Sequence, residues 1–322
     1  MPSYSGIWSL PAQMQAVGAG NWPPNYVAPV AINAQYDVTS SGYTSFNLTT
    51  TGNASVFGNL IYSRSQFAGC SSSTRGLFAG GDSSGPVSTS IEYITIASAG
   101  NGTSFGSLST ATYQFAGASN STRGIWFCAN QAAPTNRIEY STIATLGNTI
   151  DFGDSVADIR GNGAGATSTR ALCALGFHVG VGQVNTVEYV TIATTGNAVD
   201  FGDLTTSERY KTTGFSSNTR VFFAGGGGGT GSGFNVIDYF TAATTGNATD
   251  FGDLDNGLNA PAATSSSVYG VVMGGFGSNP YGVTNVIQYV TMSSSGNATD
   301  WGDLTVAQYD NEACSSVHGG LS

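Results

Sequence analysis

Short apolar runs alternate with polar, turn-forming stretches along most of the chain. The runs are too brief, and too rich in β-branched and aromatic residues, for helices. Between Gln66 and Leu108 the runs QFAGCSS (from Gln66), GLFAGG (from Gly76), SIEYITIA (from Ser90) and TSFGSL (from Thr103) are separated by Ser-Thr, Gly-rich and Gly-Asn segments. These predict four antiparallel strands. IEYITIA, VEYVTIA and IDYFTAA are apolar at most positions, which predicts a third strand covered on both faces. Gly-Asn predicts a tight turn between the third and fourth strands, because both residues accept positive φ.

The unit repeats. TTGNATDFGDL from Thr244 recurs as TTGNASVFGNL, SAGNGTSFGSL, TLGNTIDFGDS, TTGNAVDFGDL and SSGNATDWGDL, with the Gly of Gly-Asn at Gly52, Gly100, Gly147, Gly196, Gly246 and Gly296. A second marker, TRGLFAGG from Thr74, returns as TRGIWFCA, TRALCALG and TRVFFAGG, and as VYGVVMGG from Val268. A third is the strand Tyr at Tyr93, Tyr140, Tyr189, Tyr239 and Tyr289. Four antiparallel strands in a period of ~48 residues form one propeller blade. Six Gly-Asn segments predict an all-β, six-bladed β-propeller over residues 37–322. The first copy holds only the third and fourth strands, and the segment 307–320 (AQYDNEACSSVHGG) carries further strand pattern after the last copy. One blade is therefore expected to be completed by both termini, two strands from each, which removes free edges.

Residues 1–36 precede the repeats and carry no charge. Trp8, Trp22 and the prolines at 23, 24 and 29 predict an extended apolar arm. Such a stretch marks an interaction site, with Ile7, Trp8, Leu10, Trp22 and Tyr26 as its contact residues on a neighbouring subunit.

Composition narrows the function classes. The chain has 322 residues, 46 of them Gly, with 19 acids against 9 bases and a net charge of -10. No basic cluster exists to replace counterions on a phosphate backbone, so nucleic acid and anionic membranes are not expected partners. No apolar stretch is long enough to insert in a membrane, and the first residues lack a signal-peptide pattern, which predicts synthesis in the cytoplasm. Cys70, Cys128, Cys173 and Cys314 lie far apart and predict buried apolar thiols rather than a metal or redox site.

Candidate chemistry is sparse. The pairs Asp151/Asp154, Asp200/Asp203, Asp250/Asp253 and Asp300/Asp303 read as turn caps and surface charge, because other copies replace them by Val56/Asn59 and Ser104/Ser107. Arg75, Arg123, Arg170 and Arg220 occur in the copies that carry Glu92, Glu139, Glu188 and Asp238 before the strand Tyr. A repeated ion pair would explain this, yet a simple hairpin puts the two ~15 Å apart. The point stays open at this level. His178 and His318 accompany no nucleophile motif, so neither catalytic nor metal-ligating residues, nor a cofactor, are expected. N-x-S/T sequons at Asn47, Asn53, Asn101, Asn120, Asn247 and Asn297 read as by-products of polar turns. The loops between second and third strands, at 82–89, 129–136, 176–185, 225–235 and 276–285, vary where the Gly-Asn segments do not. Their aromatic and imidazole residues Phe177, His178, Phe234, Phe276 and Tyr281 are the candidate binding residues, suited to glycan or protein contact.

Gly-Gly after the second strand, Tyr in the third and an aromatic in the fourth (Phe57, Phe105, Phe152, Phe201, Phe251, Trp301) resemble the kelch propeller repeat. The longer wording, TIEYxTIATxGNATDFGDL with TRGxFAGG, resembles the kelch-like repeats in virion structural proteins of tailed phages, especially those of marine bacteria and cyanobacteria, over residues 40–320. The resemblance implies a non-enzymatic component of a phage tail, fibre or baseplate, or a capsid decoration. It would be made in the host cytoplasm, carried in the virion and joined to other virion proteins through the arm. The alternative is a receptor-binding adhesin that recognises a host surface glycan or protein through the variable loops. A third reading, a propeller hydrolase acting on glycan, lacks a distinct catalytic group.

Overall fold

The computed structural model describes residues 29–36, 41–82, 87–128, 135–207, 209–227 and 233–321. Among them the regular elements are β-strands and one 3-10 turn at Gly319–Leu321. The strands form five four-stranded antiparallel sheets and one six-stranded one, in a β-propeller-like arrangement, with a small three-stranded sheet of Ile159–Arg160, Phe177–His178 and Gly182–Gln183. The first four strands of each of sheets 2 to 6 follow one another in the chain. Sheet 2 is Ala68–Ser71, Arg75–Ala79, Ser90–Thr95 and Thr103–Ser107; sheet 3 is Ala116–Ser119, Arg123–Phe127, Arg137–Thr142 and Ile150–Asp154. Sheet 4 is Gly163–Ala166, Arg170–Ala174, Thr186–Thr191 and Val199–Asp203; sheet 5 is Thr213–Ser216, Arg220–Ala224, Phe234–Thr241 and Thr249–Asn259, extended by Phe276–Ser278 and Tyr281–Val283. Sheet 6 is Ala262–Ser265, Tyr269–Met273, Val286–Thr291 and Thr299–Asp303.

Sheet 1 is assembled from distant segments: Glu312–Ser315, Val30–Tyr36, Ser41–Asn47 and Ser55–Asn59. Its make-up corrects two expectations. It takes three strands from the N-terminal part and one from the C-terminal part, not two from each. Val30–Tyr36 also belongs to the sheet rather than to an arm reaching residue 36, since it pairs with Ser41–Asn47 on one side and Glu312–Ser315 on the other. Ala31, Ile32 and Ala34 are fully buried there. This strand lacks both the Thr-Arg and the Gly-Gly markers, so the repeat pattern did not reach it. Residues 1–28, with Ile7, Trp8, Leu10, Trp22 and Tyr26, lie outside the described residues. The chain enters and leaves sheet 1 at its turn end: Ser316 N–H donates to the Val30 carbonyl, as Ser72 N–H does to Arg75 in sheet 2.

Each third-to-fourth strand pairing carries a bulge beside the fourth-strand aromatic, such as Phe105 between Gly106 and Ser104. A bulge puts two residues opposite one. The aromatics are buried, and they meet the third-strand tyrosines edge to face in the pairs Tyr93–Phe105, Tyr140–Phe152, Tyr189–Phe201, Tyr239–Phe251 and Tyr289–Trp301. Such pairs add ~0.5–1.5 kcal/mol beyond burial. Four of the tyrosines carry a guanidinium on the ring, from Arg75, Arg123, Arg170 and Arg220, at 4.6 to 4.9 Å. The same four arginines donate to third-strand-end carbonyls of the next sheet, as Arg75 does to Ile143 and Ala144.

These arginines therefore do not pair with the repeated acids. Glu92 pairs with Arg64, Glu139 with Arg137, and Asp238 with Arg209 at 3.1 Å. Each acid also accepts a backbone N–H from the residues that leave the preceding sheet, at Ile61, Ser109 and Thr205. Glu188 accepts from Val156 N–H at 2.8 Å and Ser155 Oγ at 2.7 Å, with no basic partner among the described residues. Burial pushes its carboxyl up to about 7. In sheet 6 the neutral Gln288 does the same work, accepting from Asp255 N–H.

The Gly-Asn segments are not the tight turns expected of them. The turn comes earlier, as in the Ser98 N–H to Thr95 carbonyl bond, and Gly-Asn then runs along the fourth strand of the preceding sheet. Gly100 N–H donates to the Phe57 carbonyl, and Asn101 Oδ1 accepts from Asn59 N–H. The same bonds recur for Gly147/Asn148, Gly196/Asn197, Gly246/Asn247 and Gly296/Asn297, and Gly52/Asn53 holds Trp301 and Asp303 of sheet 6. The contact is close. A Cβ on Gly106 would lie 2.0 Å from the Gly147 carbonyl oxygen, and one on Gly153 would lie 2.4 Å from that of Gly196. This explains the Gly after each fourth-strand aromatic. All four cysteines are buried and unbridged, as expected.

Candidate binding face

The first strand of each sheet packs on that of the next, and Glu312–Ser315 packs on both Ala262–Ser265 and Ala68–Ser71. They surround an axial space with two unlike ends. At the turn end, Ser71, Ser119, Ser216, Ser265 and Ser315 each donate a hydroxyl to a neighbouring first strand, as Ser315 does to the Ser265 carbonyl at 2.6 Å. The chain's last described residues close this end. His318 Nε2 donates to the Ser71 carbonyl, and Gly320 N–H donates to His318 Nδ1, which fixes a neutral tautomer. Burial holds this imidazole down at about 4.

At the loop end, each connector between sheets places one residue near φ +55°: Gln66, Gln114, Gly161, Lys211, Ala260 and Asp310. In this left-handed conformation each N–H points sideways to the preceding connector. Gln114 N–H donates to the Gln66 carbonyl, Gly161 to Gln114, Lys211 to Gly161, Ala260 to Lys211, Asp310 to Ala260, and Gln66 back to Asp310, at 2.7 to 3.2 Å. The circuit returns to its start and rims a cavity of about 100 Å³.

Because the backbone makes this ring, its side chains are free for other work. Asp310 accepts from Lys211 Nζ at 2.7 Å through one carboxylate oxygen and from Gln66 Nε2 at 3.0 Å through the other. Tyr210 donates to Gln114 Oε1 at 2.8 Å. Deeper in the cavity wall stands Glu312, where the equivalent first-strand residues are Ala68, Ala116, Gly163, Thr213 and Ala262. Burial pushes its carboxyl up to about 8, against the pull of the Ala313 and Gly69 N–H groups.

The predicted binding residues divide into separate groups. Phe177 and His178 form a short strand against Ile159–Arg160, and the Arg160 guanidinium covers the Phe177 ring at 4.0 Å. Phe234 starts a third strand, opposite Leu258 on the extended fourth strand. Phe276 and Tyr281 are brought together on a hairpin, with ring centres 4.7 Å apart, and Tyr309 joins them 6.1 Å from Phe276. Tyr281 is 74% exposed. The sequence reading missed Tyr309, Tyr210, Arg160, Lys211 and Asp310. Their signal lay in the connectors, where each of the five sits beside or within the left-handed position, in segments too divergent to align as repeats.

Among the described residues, no group of three or more His, Cys, Asp or Glu is placed to hold a metal. No helix among them is long and apolar enough to cross a membrane. No protein-family model and no curated protein matches the chain.

Proposed function

We propose that the six sheets are the blades of a closed six-bladed, kelch-like propeller, and that the chain is a non-enzymatic structural module of a tailed-phage particle, in the tail, fibre, baseplate or capsid surface. Residues 1–28 dock on another virion protein, and the propeller acts as a rigid spacer. The observation that carries this reading is the division between the two ends of the axial space. Residue 29 and Ser316 both lie at the turn end, in regular inter-sheet bonding, whereas the variable loops and connector side chains gather at the other. One face is thus free to be anchored while the opposite one points away. The rings of hydrogen bonds support closure, since they link sheet 1 to sheet 6 as they link the others. The phage assignment itself rests on the repeat wording.

Mass spectrometry of purified particles, with a density map of the intact virion, tests the reading. The chain should be present in fixed stoichiometry, with its N-terminal segment cleaved in the isolated protein and protected in the particle. Absence from particles, or equal protection in both states, would refute it. A second reading, recognition of a host surface through the loop face, is favoured by the cluster in which half-buried Phe276 carries the exposed Tyr281 and Tyr309. Exchanging 276–285 for a short turn should remove cell binding and leave folding intact.

A further inference from the structure

We propose that the loop-end mouth of the axial cavity binds a neutral saccharide, with Tyr281, Phe276 and Tyr309 as the stacking platform and Asp310, Lys211 and Gln66 as the hydroxyl-binding groups. The proposal rests on the reading in which the loop face recognises a host surface.

Tyr281 and Tyr309 are exposed, Phe276 is half-buried, and the group is held in place. Phe276 stands edge-on between Tyr281 and Tyr309, with interplanar angles of 83° and 78°. The hairpin that carries Phe276 and Tyr281 extends sheet 5 through Leu258 and Asn259. It is pinned further by Gly233 N–H to Ser278 Oγ at 2.7 Å and Asn279 N–H to Asn256 Oδ1 at 2.9 Å. The rings therefore present an apolar face with little conformational entropy left to lose. Around them stand the polar Asn256, Ser278 and Asn279, with Val283, paired opposite Phe276, as a further exposed apolar side chain. That surrounding suits a ligand with C–H faces and hydroxyl edges better than the apolar centre of a protein interface.

Tyr309 connects this platform to the rim, because the next residue is Asp310. A sugar hydroxyl both donates and accepts, and needs a donor and an acceptor side by side. Asp310 and Lys211 supply them, and neither is used up: the ammonium has three donors and the carboxylate about four lone-pair sites. Gln66 keeps its Oε1 acceptor after donating through Nε2. Their charges cancel, so the mouth offers no net attraction for an anion, and the net charge of -10 opposes acidic polymers. A neutral sugar is the class that remains.

The test is saturation-transfer NMR on the full chain with four neutral probes: maltohexaose, cellohexaose, mannohexaose and chitohexaose. At least one should receive saturation, and Tyr281→Ala and Asp310→Asn should each weaken its binding tenfold or more. Leu146→Ala, an exposed apolar residue at the turn end, should change it less than twofold. Unchanged thermal midpoints establish that the variants fold. No transfer to any probe, or equal binding by Tyr281→Ala, overturns the proposal. A parallel pull-down on bacterial envelopes separates it from the reading beneath it. Binding abolished by periodate, which cleaves vicinal diols, and resistant to protease supports a saccharide. Binding abolished by protease alone overturns the saccharide and leaves loop-face recognition standing; no envelope binding under any treatment removes both.

Discussion

The fourth strands and the loop end of the axial space solve one problem, joining each sheet to the next, by different chemistry. Along the fourth strands the link is the Gly-Asn clamp, which needs the Asn amide oxygen and a Gly without Cβ on the opposing strand. At the loop end the link is a ring of backbone N–H and carbonyl groups, and the residues in it are Gln66, Gln114, Gly161, Lys211, Ala260 and Asp310. Side-chain chemistry fixes the letters in the first place, and backbone chemistry releases them in the second. Groups able to meet a ligand accordingly gather where the backbone does the joining.

Deleting residues 307–322 should have the largest effect, because it takes Asp310 out of the loop-end ring, removes the Ser315 links between first strands and strips one side of Val30–Tyr36, leaving the Gly52/Asn53 clamp to hold sheet 1 to sheet 6. We expect the thermal midpoint to fall by about 10 °C or more, with self-association through the bared edge. Calorimetry and light scattering check this; a monomer of unchanged stability would contradict it. Next, Gly106→Val drives a side chain into the Gly147 backbone and should cost about 3 kcal/mol. Gln114→Ala in the loop-end ring should cost only about 1 kcal/mol, since it removes one side-chain bond and spares the ring. Chemical denaturation of the two variants measures the contrast directly, and equal losses would break it.

The acid positions beneath the loop end sharpen the comparison through pH. Glu188 has a folded pKa of about 7 against an ordinary 4.5, raised by burial without a basic partner. A raised value means that the folded state prefers the protonated form. Its contribution is full below 4.5 and is lost as pH climbs toward 7, at up to ~1.4 kcal/mol per pH unit. Glu188→Gln, which copies Gln288, should flatten that part of the stability profile. A slope unchanged by the substitution would show that Glu188 is not its source. The smallest effect is expected of Asn197→Ala, which deletes one exposed bond to Asp154 N–H and should cost about 1 kcal/mol or less. The surviving Gly196 bond keeps the clamp in place, and urea midpoints would register the difference.

Strand order and the four-stranded unit were legible because the Tyr, Gly-Gly and Gly-Asn markers are tied to fixed packing. The Tyr meets the fourth-strand aromatic, and the Gly after that aromatic admits the neighbour's backbone. Two things were hidden. Val30–Tyr36 sits in the same kind of pairing as Arg75–Ala79, yet it has neither the Arg that stacks on a Tyr nor the Gly pair that bends away after it. The acid partners were hidden as well, because Arg64 and Arg209 come from connectors rather than from the strand that carries the repeated Arg. The site was legible only in part. Phe276 and Tyr281 could be read as loop aromatics, whereas Tyr309 and Asp310 became neighbours of that hairpin only through the φ of a connector residue.

Sheet 1 also sets the order in which the molecule can be made. Val30 N–H bonds to Ser316 Oγ across 286 residues of chain, while the first four strands of every other sheet come from neighbouring hairpins. Loop-closure entropy grows only logarithmically, so joining ends this far apart costs about 1.5 kcal/mol more than closing one ~48-residue repeat. The thermodynamic penalty is small, but the kinetic consequence is not. Sheets 2 to 6 can form as local hairpins during synthesis, whereas Val30–Tyr36 must wait with an unpaired edge until Glu312–Ser315 leaves the ribosome. Refolding should therefore show a late phase confined to sheet 1, and that waiting edge is where misassembly between chains would begin.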